Sequence, residues 1–169
     1  MPLWLPGMRI TADRLNAMVG DWQPYTPDWY ADNATTTLGA GTLDGRYKLY
    51  GRTCEFAIRL EWGSNTTTSV EAAYWEFSLP VAPSGVQGNT WQPVSCWLYD
   101  ASAPARWSAT GYVNATSQRV TAIVAHADGG YIDRGEMPSQ TPVGTTLQPA
   151  GTTWATGDRL NIWGNYETV

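Results

Sequence analysis

At 169 residues, with 43% hydrophobic and 15% charged side chains, the chain is long enough to bury a core and reads as one domain preceded by a short arm. A net charge of −5, with Lys48 the only lysine and the arginines standing singly, excludes the clustered basic stripe that a nucleic-acid partner requires. Apolar runs fall far short of the roughly eighteen residues that cross a bilayer, and MPLWLPG lacks the basic and apolar regions of a secretory leader; the expectation is assembly in the cytoplasm with no membrane partner.

The first element expected is a short helix over Arg9 to Gly20, with Thr11 as N-cap, Asp13 in the first turn where the dipole favours an acid, and Gly20 as the stop. A helix of two turns is marginal in isolation, so Ile10, Leu15, Met18 and Val19 must pack against something. That surface is either a partner or the open end of the chain's own sheet. The arm is assigned residues 1–21 and the body residues 22–169. Trp22 to Leu38, rich in proline and aromatic residues, begins the body as an extended edge segment that cannot supply every ladder hydrogen bond.

Glycine, threonine and ten tryptophans favour sheet and turn through the body. Arg46 to Tyr50 and Thr53 to Trp62 predict a hairpin across Gly51, and in the second strand Cys54, Phe56, Ile58 and Leu60 alternate with Thr53, Glu55, Ala57 and Arg59. Tyr74 to Leu79 repeats the pattern, with Trp75, Phe77 and Leu79 inward, until Pro80 ends it. Val94 to Tyr99 is another strand; Trp107 to Val113 pairs with Arg119 to His126 through the turn Ala115-Thr116-Ser117-Gln118. The last strand is Arg159 to Glu167, where Leu160, Ile162 and Tyr166 share a face and Gly164 signals close approach by a neighbouring strand or subunit. Six to eight short strands without alternating helices predict an all-β fold, a β-sandwich of jelly-roll type.

Chemistry-bearing constellations are sparse. Nucleophilic catalysis needs a base and an orienting acid, yet His126 is the only histidine and no G-x-S-x-G elbow is present. Glu55, Glu61 and Glu76 fall in solvent-facing phase, where acids serve solubility rather than a paired-carboxylate cleft. Asp128, Asp133 and Glu136 share a glycine-rich stretch that lacks the spacing of a calcium loop. The expectation is a protein that is not an enzyme, with no catalytic residue, metal or cofactor. Cys54 and Cys96 are expected as small buried hydrophobes rather than a disulfide. Trp62, Trp75, Trp97, Trp107 and Trp163, on or beside strands, are read as core filling. Trp4, Trp22 and Trp29, in a segment too extended to build its own core, are read as contacts to a neighbour.

GTLDGRYKLYGRTCEFAIRLEWGSNTTTS (Gly41 to Ser69), with WQPYTPDW (Trp22 to Trp29) before it and WEFSLPVAPSG (Trp75 to Gly85) after it, resembles the small all-β virion proteins of actinobacterial tailed phages, described as minor tail or capsid-associated proteins. The resemblance runs from RITADRLN (Arg9 to Asn16) to TTWATGDRLNIWGNYE (Thr152 to Glu167), a closing pattern also similar to the last strands of tumour-necrosis-factor-like and C1q-like jelly rolls. It implies a structural virion protein that forms a homotrimer, with the major capsid protein or tail proteins of the same phage as partners. Trp4, Ile10, Leu15, Met18, Trp22, Trp29 and Gly164 are the anchor and interface candidates. The body follows the short helix with no stalk of repeats, which suits a decoration or cement protein seated on a capsid. The alternative is a tail-tip protein that binds host cell-wall carbohydrate through Trp91, Tyr99, Trp107 and Tyr131.

Overall fold

The computed structural model describes residues 7–9, 11–12, 20–31, 35–68, 75–85, 91–102, 104–123, 126–128, 131–133, 146–147 and 152–169. Most of the expected helix, with Trp4, Ile10, Leu15 and Met18, lies outside the described residues. The strands are β1 (Gln23–Tyr25), β2 (Trp29–Ala31), β3 (Thr36–Thr37), β4 (Thr42–Tyr50), β5 (Thr53–Glu61), β6 (Thr67–Thr68), β7 (Trp75–Ser78), β8 (Trp91–Asp100), β9 (Ala105–Asn114), β10 (Arg119–Ile123), β11 (His126–Asp128), β12 (Tyr131–Asp133), β13 (Thr146–Leu147), β14 (Thr152–Thr153) and β15 (Arg159–Glu167). The fold is all-β. Nine strands form one antiparallel sheet in the order β1-β4-β5-β15-β8-β9-β10-β7-β2, and the others pair two by two as β3 with β6, β11 with β12 and β13 with β14.

Local sequence accounts for the hairpins. Gly51 supplies the positive φ (65°) at the first position of the two-residue loop between β4 and β5, the turn geometry that matches strand twist. Between β9 and β10 the Asn114 side-chain oxygen accepts from the backbone N–H groups of Thr116 (2.9 Å) and Ser117 (3.3 Å), closing the expected turn. The strand after it stops at Ile123, and His126 opens the separate β11. The expected closing strand matches β15, which lies between β5 and β8.

Two distances show how strongly the sheet curls. Trp62, one residue past β5, meets Trp29 of β2 with ring centroids 5.9 Å apart, although six strand steps separate β5 from β2. In a flat sheet that separation would be about 29 Å. β1 and β2 form opposite edges yet are joined by Thr26, Pro27 and Asp28 alone, a link that reaches at most about 14 Å. The sheet therefore folds over until its edges nearly meet, and the residues of its inner face pack against one another.

That inner face is the core. Cys54, Phe56, Ile58 and Leu60 of β5 lie beside Leu160, Ile162 and Tyr166 of β15 and continue through Val94, Cys96 and Leu98 to Val113, Val120, Phe77 and Trp75, all buried. A fully buried aliphatic or aromatic side chain of this kind contributes about 1.5–3 kcal/mol. Where the two ends of the sheet meet, Trp29, Trp62, Trp75 and Trp154 form a cluster with centroid separations of 5.0–5.9 Å. Trp29 was expected at a subunit or capsid contact, and Trp154 falls in a loop by sequence. Both are core residues, 9% and 5% exposed, because the closure of the sheet brings them inside. The indole N–H groups of Trp29, Trp75 and Trp154 are buried with no hydrogen-bond partner, so the cluster gains apolar area at the cost of these polar handles.

Buried polar groups fasten the ends of the curled sheet. Asp158 accepts from the backbone N–H groups of Ala101 (2.8 Å) and Ala155 (2.6 Å), tying the β8–β9 turn to the loop that carries Trp154. Burial pushes its carboxyl above the usual carboxylate range, the two N–H donors pull it back, and neighbouring Asp100 adds to the rise. The Tyr166 hydroxyl donates to the Val81 carbonyl (2.8 Å), and its burial raises the phenol well above the ordinary range. Cys54 and Cys96 are buried thiols not joined in a disulfide.

Candidate functional site

The outer face of the same sheet carries the exposed aromatic residues. Across β4, β5 and β15 its side chains stand in rows: Asp44, Arg59 and Asn161; then Arg46, Ala57 and Trp163; then Lys48, Glu55 and Asn165. The middle row has the small side chain of Ala57 at its centre, so the sheet dips there between taller neighbours. The resulting depression, of about 780 Å³, is walled by Trp22 and Arg46 on one side and Trp163 on the other, with Asp44, Arg59 and Asn161 along one end. That volume falls within the range of small-molecule sites.

Each wall is positioned by the strands. Trp22, 38% exposed, precedes β1, and its ring lies under the Arg46 guanidinium (4.6 Å) and the Lys48 ammonium (5.0 Å). Trp163, 45% exposed, is flanked in register by Ala57 on β5 and Ser95 on β8, two residues too small to cover its ring. Asn161 stands between Arg59 and Trp97 in the ladder, and its side-chain Nδ2 is buried without a hydrogen-bond partner. A buried donor left unsatisfied costs about 1–3 kcal/mol.

Charge at the depression is balanced. Arg59 and Arg159 both pair with Glu61, whose carboxyl is held below the usual range chiefly by its bond to Arg59, and Lys48 pairs with Glu55 (2.8 Å). Asp44 makes no ion pair among the described residues. Beyond Asn161 the outer face continues into Trp97 and Tyr99, stacked at 6.0 Å, with Arg106 (5.2 Å) and Arg159 (5.7 Å) over the Tyr99 ring. Farther along, Glu76 pairs with Arg119, which also lies over the Tyr30 ring. The three acids expected on the solvent face are thus all in ion pairs.

Of the carbohydrate candidates, Tyr99 is on the outer face; in the backbone, Trp91 pairs with Asn114 and Trp107 with Leu98 in the β8–β9 ladder, and Tyr131 belongs to the separate β11–β12 ladder. The side chains at 91, 107 and 131 lie outside the described residues, as do those of His126, Asp128, Asp133 and Glu136. Gly164 meets a neighbouring strand: a Cβ there would lie 2.7 Å from Val94 Cγ1 of β8. Trp97 and Trp163, read from sequence as core filling, occupy the outer face instead. The signal was present in strand parity, since Leu160 and Ile162 facing inward put Trp163 outward, as Cys96 and Leu98 do for Trp97. Among the described residues no group of three histidine, cysteine or acidic side chains converges, and no helix is long and apolar enough to cross a membrane. No protein-family model, curated protein or solved structure gives a significant match to the chain.

Proposed function

We propose that the protein is a non-enzymatic structural component of a bacteriophage virion: a homotrimeric β-sandwich of jelly-roll type, assembled in the host cytoplasm and seated on the particle exterior as a capsid decoration or cement protein. The major capsid protein is then its partner, and the arm is its anchor. One observation carries this reading beyond the sequence resemblance. Gly20, at the end of the arm, has φ 46° and packs so closely on the Leu49 carbonyl that a side chain would collide with it. Around that junction Trp22, Leu49 and Tyr50 are 38%, 41% and 36% exposed. An arm that joins the body beside an uncovered apolar edge offers a neighbour one continuous docking surface.

Immunogold labelling of purified particles with antibody against the β-body tests the proposal. Label over the capsid is the expected result. Label at the tail tip would replace it with the minor tail, glycan-binding alternative, and absence from both would overturn the virion assignment.

A further inference from the structure

The outer-face depression has features that a docking edge does not need. Its centre is apolar, an exposed indole beside Ala57, whereas its end is polar, with Arg59 and Asp44. A ligand that answers all of these presents a flat apolar face to Trp163 and, at its edge, oxygens that accept from a guanidinium and hydroxyls that donate to a carboxylate. A pyranose ring with equatorial substituents does so: its C–H faces stack on indole and its rim is a ring of hydroxyls.

Charge narrows the choice further. Arg59 is already engaged by Glu61, Lys48 by Glu55, and Arg46 lies over Trp22. Asp44 adds a carboxylate that repels an anionic ligand. Arg46 has no carboxylate partner among the described residues, but Asp44 and Glu55 on the same lining offset the charges of Arg46 and Arg59, so an anion finds no net positive site, while a neutral saccharide meets donors and acceptors of both kinds.

We infer that this depression is a binding site for a neutral, β-linked saccharide of all-equatorial pyranose units, stacked on Trp163 and held at its rim by Asp44 and Arg59. Trp22 and Tyr50 belong both to the proposed docking edge and to this depression, so the sugar is titrated against the free protein, and failure there leaves the labelling result untouched.

The test is titration calorimetry of the full chain with N,N′,N″-triacetylchitotriose, with cellotriose and maltotriose as comparison sugars. Millimolar or tighter binding of the β-linked sugars is expected, at least tenfold weaker in Trp163→Ala and in Asp44→Ala, and lost in Ala57→Phe, which fills the floor from the solvent side. Circular dichroism confirms that each variant is folded; since all three positions are on the outer face, the core is unaffected. Tighter binding of triacetylchitotriose and cellotriose than of α-linked maltotriose supports the β-linked assignment, and equal binding of all three would overturn it. No binding of any sugar at about 10 mM, a concentration that would fill most of a site of millimolar Kd, overturns the inference, as does binding that Trp163→Ala leaves unchanged. Sedimentation equilibrium closes the remaining route: if the wild type self-associates and Trp163→Ala dissociates it, the face is an interface between copies and the saccharide site is refuted.

Discussion

Replacing Gly164 with alanine would set a methyl carbon 2.7 Å from Val94 Cγ1 and 3.0 Å from its Cβ, where carbons ordinarily rest at about 3.5–4.0 Å. Val94 is 5% exposed on β8, and Phe56, 1% exposed, lies beside Gly164 on β5, so no neighbour can swing into solvent to make room. Overpacking of this kind costs about 1–3 kcal/mol, and in a domain of this length each kcal/mol lowers Tm by about 2–4 °C. Val94→Ala alone deletes two buried methyl groups and should cost about 2 kcal/mol. In the double variant the nearest atom, Cγ1, is gone and only the Cβ at 3.0 Å remains, which a shift of a few tenths of an ångström accommodates. The double variant should therefore be more stable than the sum of the singles by about 1 kcal/mol. Urea unfolding followed by tryptophan fluorescence and circular dichroism measures all four proteins. Strict additivity, or a Gly164→Ala midpoint equal to that of the wild type, would refute the close packing of β15 on β8.

Buried groups give two further expected outcomes. Asp158→Asn should destabilise by about 1–3 kcal/mol, because an amide turns a donor toward one of the N–H groups that the carboxylate accepts. Since the folded carboxyl is raised above its unfolded value, its contribution to stability is full below the ordinary Asp pKa and is lost as pH rises through the folded value. The stability difference between wild type and Asp158→Asn should thus shrink as pH rises above the ordinary Asp pKa of about 4, and a difference that widens would mean that the two donors outweigh burial. Cys54 and Cys96, 0% and 2% exposed, should resist an aromatic disulfide reagent in the native protein and both react on unfolding; burial also raises the Cys54 thiol, which lowers its thiolate fraction. Rapid labelling of native protein would show frequent opening of the strands that cover them.

How much was legible depends on the range of the forces involved. The alternation of Cys54, Phe56, Ile58 and Leu60 with Thr53, Glu55, Ala57 and Arg59, the turn after Asn114 and the closing strand are local, and sequence predicts them well. Trp29 and Trp154 lie among prolines, glycines and threonines, with no periodicity to mark them. They are buried because the sheet curls until its far ends touch, a long-range event invisible in a window of ten residues. The outer-face depression was hidden for a related reason. Arg46, Ala57 and Trp163 are distant in sequence, and only the register of β4, β5 and β15 aligns them. The tryptophan surplus, read as too large for one small core, divides between the inner cluster and the outer face.

β15 is fourth of nine in the sheet and comes after every other strand in the chain. A chain cut before Arg159 would lack the strand that joins β5 to β8, leaving two ribbons, each with a row of unpaired backbone groups open to pairing with other chains rather than a slightly smaller sheet. The nine residues of β15 are thus the seam on which completion of the whole sheet depends.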